Sequence, residues 1–253
     1  MPLKPFIFIC GLHRSGTSVL HRCLRDHPEI SGFSATGVPQ DEGQHLQTVF
    51  PAAKRFGGIG KFGLDENAYL DDTSPLVSDE SRRRLVAEWG PHLDHGKSFF
   101  IEKSPPNLVR TRFLQALFPD SRFVVITRHP LATAFATAKF AKKRSLHELL
   151  DHWLLCHERF SRDAGNLKSL MQISYERFAS DPEAVLASLF HDFGLAPHPP
   201  PETIKAHNNM RYFIYWHSLP HDERQVLIDR FEDRVRPFGY SMAALDKVPD
   251  DRP

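Results

Sequence analysis

Glycines, hydroxyl side chains and one arginine cluster within a short stretch near the start of the chain. Four residues separate Gly11 from Gly16, and the polar residues between and after these glycines include Arg14, Ser15, Thr17 and Ser18. Glycine lets the backbone turn tightly, so successive N–H groups and the positive end of a following helix can converge on one anion. We therefore expect a phosphate-binding loop with Arg14 as its charge. The alternative is an ordinary strand–helix junction with small polar residues at the helix start.

The spacing of these glycines is that of the P-loop of nucleoside triphosphatases, in which lysine and then serine or threonine follow the second glycine. In this chain Thr17 occupies the lysine position. No lysine would then bridge the β- and γ-phosphates of ATP. This argues against a kinase that uses magnesium ATP, which stays as an alternative enzyme. A nucleotide-binding domain without catalytic activity is the alternative outside the enzymes.

Length and composition fit one α/β domain. The chain has 253 residues, of which 41% are hydrophobic and 25% charged. We predict a single domain over residues 1–253, with a frayed tail at 246–253. The 32 basic and 31 acidic residues nearly balance, so no overall field attracts nucleic acid or membranes. Any anion site must therefore be local.

The cysteines and the apolar segments bear on location. Cys10, Cys23 and Cys156 are an odd number at unrelated spacings, and we interpret them as buried side chains in a reducing compartment. The apolar run at 6–10 is too short for a signal peptide or a membrane span. We expect a cytoplasmic protein without a transmembrane segment. The sequence does not indicate an oligomeric state.

Strands alternate with helices along most of the chain. Strands are predicted at 6–10, 99–101, 123–126 and 170–173, and helices at 80–89, 105–118, from 131, from 146, at 182–190 and at 222–234. Ser104 is the predicted N-cap of the helix at 105–118, and Ser145 with Glu148 predicts a capping box. We predict that residues 27–76 form mainly loops. The alternation is typical of a three-layer, P-loop-like α/β fold whose central, mainly parallel sheet of about five strands is flanked by helices.

Polar residues follow the predicted strands where each one ends. Arg14 follows the first strand, Lys103 the second, Arg128 the third and Tyr175 the fourth. In parallel α/β sheets, ligands bind beyond the carboxyl ends of the strands. We therefore expect these four segments to line one site.

Four segments, in order, resemble motifs of the sulfotransferases that use 3′-phosphoadenosine 5′-phosphosulfate. The loop at 11–18 is similar to their 5′-phosphosulfate loop, and Phe-Val-Val-Ile-Thr-Arg-His-Pro at 123–130 is similar to their 3′-phosphate motif. Ile-Glu-Lys-Ser-Pro at 101–105 resembles a Glu-Lys-Ser/Thr-Pro segment of the glycan sulfotransferases. Ser-Tyr-Glu-Arg-Phe at 174–178 resembles a Tyr-Glu-Asp-Leu segment whose tyrosine lies by the adenine.

This resemblance implies an enzyme that moves a sulfuryl group from that donor to an acceptor hydroxyl, without a metal. It implies that Arg14 and its loop hold the phosphosulfate, that Arg128 binds the 3′-phosphate and that Tyr175 lies by the adenine. Lys103 is then the cation that faces the transferring group, because neutralising charge is most of the work in such a transfer. The alternative for Lys103 is an exposed ion pair with Glu102.

Two positions depart from the family's pattern. Ala136 stands where the family has a serine that binds the 3′-phosphate, and Thr133 and Thr137 are the candidate substitutes. Val19 stands where many cytosolic members have tryptophan. The likeness is therefore closer to the glycan- and protein-sulfating branches and their bacterial relatives.

The segment at 38–45 is where relatives often place a glutamate as general base. Glu42 is our first candidate for that base, and His45 and Asp41 are the alternatives. A general base near the sulfur is needed because the acceptor hydroxyl must lose its proton. The other interpretation of the two carboxylates is a helix N-terminus, where negative charge is favourable.

The acceptor is the least determined part of the prediction. The resemblance favours a carbohydrate, a glycolipid or another small alcohol, in a pocket shaped by residues 32–76 and the aromatic segment 210–216.

The 15 histidines include no paired-ligand motif such as His-Glu-x-x-His, so no metal site is expected. The basic runs at 82–84 and 142–144 predict solvated surface, although the second could approach an anionic acceptor.

Overall fold

Five parallel strands form the central sheet of a computed structural model, which describes residues 4–206 and 208–249. The strands are β1 (Phe6–Cys10), β2 (Ile30–Gly32), β3 (Phe99–Lys103), β4 (Arg122–Thr127) and β5 (Leu170–Ser174). Their order across the sheet is β2-β3-β1-β4-β5. This confirms the predicted α/β fold with a mainly parallel sheet of about five strands. The sequence does not predict β2, because three residues are too few to show a periodicity.

The α-helices of the described residues are α1 (Thr17–Arg25), α2 (Asp79–Trp89), α3 (Thr111–Leu117), α4 (Pro130–Ala138), α5 (Leu146–Ala164), α6 (Tyr175–Ser180), α7 (Pro182–Asp192), α8 (Met210–Ser218) and α9 (His221–Val235). The predicted bounds of α2, α4, α5, α7 and α9 agree with these within the usual uncertainty of helix ends. The capping box of Ser145 and Glu148 is present at the start of α5. The sequence analysis assigned no helix to the aromatic segment that forms α8.

The segment after β3 differs from its prediction. The sequence predicts one helix over 105–118, but a 3₁₀ helix spans Pro105–Val109 and α3 begins only at Thr111. Ser104 stands at the N-cap position with proline directly after it, as predicted, but its side chain makes no capping hydrogen bond. Its hydroxyl donates to Glu102 at 2.5 Å and accepts the N–H of Gln44 at 3.0 Å. The hydroxyl makes no capping bond because these two buried partners occupy it.

Helices cover both faces of the sheet. The alternate residues of β1 belong to different hydrophobic layers, because successive side chains of a strand point to opposite faces. Phe6 and Phe8 are in the layer that includes α2, α3, α5 and α9, whereas Ile7 and Ile9 are in the layer that includes α1, α6 and α7. This three-layer packing holds β1, β3, β4 and β5 parallel, so their carboxyl ends open on one edge.

Three further predictions concern the chain as a whole. The single domain with a frayed tail stays a prediction, and residues 250–253 of that tail lie outside the described residues. Within the described chain, Cys10, Cys23 and Cys156 are buried free thiols. None of the described helices combines the length and the apolar composition that a membrane crossing requires.

Candidate active site

The loop between β1 and α1 depends on glycine at position 16. Gly16 has a φ of 104° and Arg14 a φ of 71°, both in the left-handed region. A Cβ at position 16 would lie 2.6 Å from Cδ2 of Tyr175, so the tyrosine ring packs directly on the backbone. The Ser15 hydroxyl donates to the carbonyl of Leu12 at 2.7 Å and closes the turn. Only glycine therefore satisfies both the backbone angle and the space.

The first turn of α1 is suited to an anion. It has no side-chain cap and no acidic residue. Thr17 is buried there, Ser18 is partly exposed, and Arg14 just before the helix is exposed. The guanidinium of Arg14 lies 5.0 Å from the centroid of the Phe140 ring. Free N–H groups and the helix dipole favour a bound anion, as a phosphate-binding loop requires.

Arg128, which follows β4, is a buried cation with one unused group. Its Nε donates to Oδ1 of Asn209 at 2.8 Å, and its Nη1 donates to the carbonyl of Arg14 at 2.7 Å. Its guanidinium carbon lies 4.2 Å from the centroid of the Tyr175 ring. Nη2 is buried and has no hydrogen-bond partner among the described residues. Burial lowers the pKa of Arg128. Buried donors are rarely left unpaired, so Nη2 indicates a place for an anion beside the loop.

A hydrogen-bond network holds Arg128 in place. Asn209 donates through Nδ2 to Oε1 of Glu176 at 2.6 Å, and the same oxygen accepts the N–H of His129 at 2.9 Å. The Tyr240 hydroxyl donates to the other oxygen of Glu176 at 3.0 Å. The sequence analysis did not assign a role to Asn209 or Glu176. Glu176 lies inside the Tyr-Glu motif and could have been noticed, whereas nothing in the sequence marks Asn209.

Lys103 and Glu42 form a buried ion pair at the end of β3. The two side chains are 1% and 7% exposed, and Nζ lies 3.0 Å from Oε1. Lys103 also donates to the carbonyl of Gln40 at 3.1 Å, and Gln44 donates to Oε2 of Glu42 at 2.5 Å. The structure therefore brings together the predicted cation and the first candidate for the base. The partner of Lys103 in the described chain is Glu42 rather than Glu102.

Glu102 points to the opposite side of β3 from Lys103, as neighbouring residues of a strand do. Its carboxylate accepts the N–H of Gly43 at 2.9 Å, the hydroxyl of Ser104 at 2.5 Å and the side-chain N–H of Asn107 at 2.5 Å. Burial raises its pKa. Its bond to Gly43 fixes the backbone next to Glu42. Sequence reasoning missed this positioning role.

The other two candidates for the base have different surroundings. Asp41 has a φ of 49°, and its carboxylate accepts the N–H and the hydroxyl of Thr36 at 2.8 and 2.7 Å. These hydrogen bonds lower the pKa of Asp41. His45 lies beside Glu42, with 3.8 Å between Nε2 and Oε2. Of the three candidates for the base, Glu42 is the one whose carboxylate bonds Lys103.

The residues of α4 face two environments. Thr133 and Thr137 line a small cavity together with His13 and His152. Ala136 is buried on another side of the helix, in a cluster with Ala132 and Tyr212 of α8. The two threonines therefore do not share the surroundings of Ala136, and their predicted contact with a 3′-phosphate stays a prediction.

A cleft of about 500 Å³ opens beside Arg128. It lies between α6, the start of α8 and residues 245–249, and its lining includes Tyr175, Asn209, Met210, Phe213 and Val248. Small-molecule sites typically enclose roughly 300–1,000 Å³. Tyr175 and Asn209 both contact Arg128, so the wall of the cleft adjoins the guanidinium.

The loop, Arg128 and the ion pair belong to one region of the sheet edge. Ile9 pairs with Lys103 in the sheet, two residues before the loop begins. Burial lowers the pKa of His13, inside the loop, to about 4. The charges of Glu42 and Lys103 also shift this pKa, so both lie near the loop. The region therefore offers an uncapped helix start, two buried cations and the buried carboxylate of Glu42. The described residues contain no group of three or more histidine, cysteine or acidic side chains that could hold a metal ion.

Comparisons of the sequence with known proteins identify its family. A model of the sulfotransferase family matches residues 5–200. Protein-tyrosine sulfotransferase 2 of Gallus gallus is 23% identical over 203 residues, which are 76% of this chain and 52% of that protein. Protein-tyrosine sulfotransferase 1 of Danio rerio is 22% identical over 73% of this chain and 52% of that protein. The chain thus spans about half the length of these curated relatives.

Solved structures share the fold. A sulfotransferase from Alicyclobacillus acidocaldarius has a TM-score of 0.57 and 21% identity, with 93% of this chain and 94% of that chain covered. A mouse sulfotransferase solved with PAP has a TM-score of 0.50 and 14% identity, with 93% and 86% covered. At these identities the likeness concerns the fold alone. The family model covers well over half of the sequence, and the chain therefore belongs to the sulfotransferase family.

Proposed function

We propose that this protein transfers a sulfuryl group from 3′-phosphoadenosine 5′-phosphosulfate to an acceptor hydroxyl. The observation that carries the proposal is the position of Arg128. Its Nη2 is buried without a partner in the described residues, while its Nη1 bonds the backbone of Arg14 in the loop. A donor with one phosphate at each end of its ribose would satisfy both anion sites at once. The family match and the PAP of the mouse neighbour support this choice of donor.

Each part of the donor has a proposed partner. The N–H groups of the loop and of Thr17 and Ser18, with the charge of Arg14, hold the phosphosulfate. Arg128 binds the 3′-phosphate through Nη2, in the planar geometry that suits guanidinium and phosphate. Tyr175 lies by the adenine, where its ring borders the cleft. Thr133 and Thr137 stay candidates for a second phosphate contact.

Lys103 and Glu42 are the proposed catalytic pair. The acceptor oxygen attacks the sulfur, and the new S–O bond forms as the S–O bond to the 5′-phosphate breaks. Glu42 takes the proton of the acceptor hydroxyl, and 3′-phosphoadenosine 5′-phosphate leaves. Lys103 and Arg14 neutralise the charge that gathers on the leaving oxygen. The contact of Glu42 with Lys103 favours Glu42 over Asp41, whose carboxylate bonds Thr36. This mechanism needs no metal ion.

The proposed acceptor is a carbohydrate, a glycolipid or another small alcohol, and nucleic acid is not a proposed partner. The curated relatives act on protein tyrosine by name, so a tyrosyl peptide is the first competing acceptor to test. We place the protein in the cytoplasm, because its three buried thiols are unpaired and such thiols are common in reducing compartments.

Binding calorimetry tests the donor. We expect 3′-phosphoadenosine 5′-phosphate to bind without divalent metal and more tightly than magnesium ATP. Replacing Arg128 by alanine should weaken this binding by on the order of a hundredfold, because a charge-assisted contact to phosphate is lost. The matched control is Arg22→Ala, since Arg22 is a half-exposed arginine of α1 that pairs with Glu202. Preference for magnesium ATP would favour the kinase hypothesis and overturn the proposal.

A further inference from the structure

One surface beside the proposed site carries apolar side chains that are unusually exposed. Of the six large apolar side chains exposed in the described chain, four lie at the end of α4 and on α8: Phe140 (61%), Met210 (55%), Ile214 (61%) and Tyr215 (48%). The two helices pack together, with 6.2 Å between the ring centroids of Phe135 and Tyr215. We call residues 139–143 and the exposed side chains of α8 the α4–α8 surface.

The same surface is positively charged. Lys139, Lys142 and Lys143 follow α4, and α8 contains Arg211, but neither the stretch at 138–147 nor α8 contains an acidic residue. The Nζ atom of Lys139 lies 5.9 Å from the centroid of the Tyr215 ring, so charge and aromatic surface are interleaved. The whole chain has a net charge of only +1. This surface therefore carries a local excess of positive charge.

We propose that the α4–α8 surface docks on an anionic lipid bilayer. Helices that lie on membranes combine outward apolar side chains, which enter the boundary between headgroups and acyl chains, with lysines and arginines that bind anionic headgroups. The α4–α8 surface has both features, on α8 and on the turn that follows α4. An acidic peptide would pair with the positive charge of the α4–α8 surface, but it would leave the outward apolar side chains of α8 exposed to water. The bilayer accounts for the two features together.

The α4–α8 surface lies next to the proposed phosphosulfate site. Phe140 contacts the guanidinium of Arg14 in the loop between β1 and α1. A bilayer against Phe140 would therefore lie next to the proposed phosphosulfate site, where a lipid headgroup could present its hydroxyl. This consequence depends on the proposed function, but docking itself does not, because vesicle binding requires no sulfate transfer.

Co-sedimentation with vesicles tests the docking. The probes are vesicles of phosphatidylcholine alone and vesicles that also contain phosphatidylglycerol. The test variants are Ile214→Ser and the double variant Lys142→Glu/Lys143→Glu, none of which touches the proposed catalytic residues. The matched controls are Val226→Ser, an apolar residue of α9 that is 63% exposed, and Lys54→Glu/Arg55→Glu, two neighbouring exposed cations elsewhere. Binding of 3′-phosphoadenosine 5′-phosphate shows that each variant is folded.

We expect binding to the anionic vesicles that exceeds binding to phosphatidylcholine and falls as salt rises. The double charge reversal should weaken it by on the order of tenfold or more, since each cation near the surface contributes to the affinity. Ile214→Ser should weaken it as well, and both controls should bind as the wild type does. The proposal is overturned if anionic vesicles do not bind or if the test variants match the controls. It is also overturned if Ile214→Ser converts a dimer into a monomer, because a second copy would then cover the surface.

Discussion

The ammonium of Lys103 lies 3.0 Å from the carboxylate of Glu42, and both side chains are buried. Sixty-one positions separate the two residues in the sequence, so the fold alone brings them together. Two charges inside a protein are tolerated when each compensates the other, and removal of one leaves the other unpaired at a high cost. In the proposed reaction the same pair supplies a base for the acceptor proton and a positive charge for the leaving group.

Glu42→Gln should abolish most of the activity while leaving the donor site intact. The amide keeps the size of the side chain but cannot accept the proton of the acceptor, so we expect kcat to fall by about 10²- to 10⁴-fold. Steady-state kinetics with calorimetry of 3′-phosphoadenosine 5′-phosphate check this. Asp41→Asn and His45→Gln are the comparisons, because both residues lie in the same segment. A larger loss of kcat in either of them would transfer the role of base to that residue.

Lys103→Met should lower the free energy of unfolding by about 3–5 kcal/mol, because it leaves the carboxylate of Glu42 buried without its cation. The double variant Lys103→Met/Glu42→Gln should recover most of that stability and none of the activity. Urea unfolding of both variants and of Glu42→Gln completes the cycle. If the double variant is as unstable as the sum of the single variants, the pair is not coupled as the structure indicates.

Asn209→Ala should weaken the binding of 3′-phosphoadenosine 5′-phosphate by on the order of tenfold, although Asn209 need not touch it. Its side chain holds Nε of Arg128 at 2.8 Å and is itself held by Glu176 at 2.6 Å. Losing one hydrogen bond to a charged group costs about 1.5–3 kcal/mol. Asn166→Ala is the control, since the exposed Asn166 side chain bonds the carbonyl of Arg162 at 3.5 Å, in α5 and away from Arg128. Equal effects of the two variants would remove the positioning role of Asn209.

The protein should lose stability in mild acid because its buried histidines resist protonation. Burial lowers the pKa of His129 and of His157 to about 4 and that of His152 to about 3, from the ordinary 6.5. The unfolded chain binds these protons first, so the stabilisation is complete above pH 6.5 and is lost as the pH falls toward 4. At pH 5, each histidine with a folded pKa of about 4 lowers the free energy of unfolding by about 2 kcal/mol relative to neutral pH.

Urea unfolding at neutral pH and near pH 5 checks this dependence. His157→Phe should keep the stacking on Trp153, whose ring centroid lies 3.9 Å from that of His157, and should reduce the difference between the two pH values by about 2 kcal/mol. A free energy of unfolding that does not change between the two pH values would show that these side chains titrate normally in the folded protein.

The sequence predicted the elements that carry a local pattern. Arg14, Arg128 and Tyr175 could be placed on one edge, because each follows a strand whose apolar run is visible. The roles of Glu42 and Lys103 were taken from resemblance, and their contact was not predicted, since residues far apart in sequence leave no periodic signal. The roles of Asn209 and of the network around Glu176 were missed for the same reason, because they depend on hydrogen bonds between distant segments. Ser104 occupies the predicted N-cap position, but its hydroxyl bonds Glu102 and Gln44, which a serine before proline does not reveal.

Transfer of labelled sulfate tests the central claim most directly. The purified protein, in the presence of a metal chelator, is given 3′-phosphoadenosine 5′-phosphosulfate labelled in the sulfate and a panel of carbohydrate, glycolipid, small-alcohol and tyrosyl-peptide acceptors. We predict label on at least one acceptor hydroxyl, release of 3′-phosphoadenosine 5′-phosphate, and loss of both in Glu42→Gln and Arg128→Ala. Label that stays on the donor with every acceptor, together with phosphate transfer from magnesium ATP, would contradict the account.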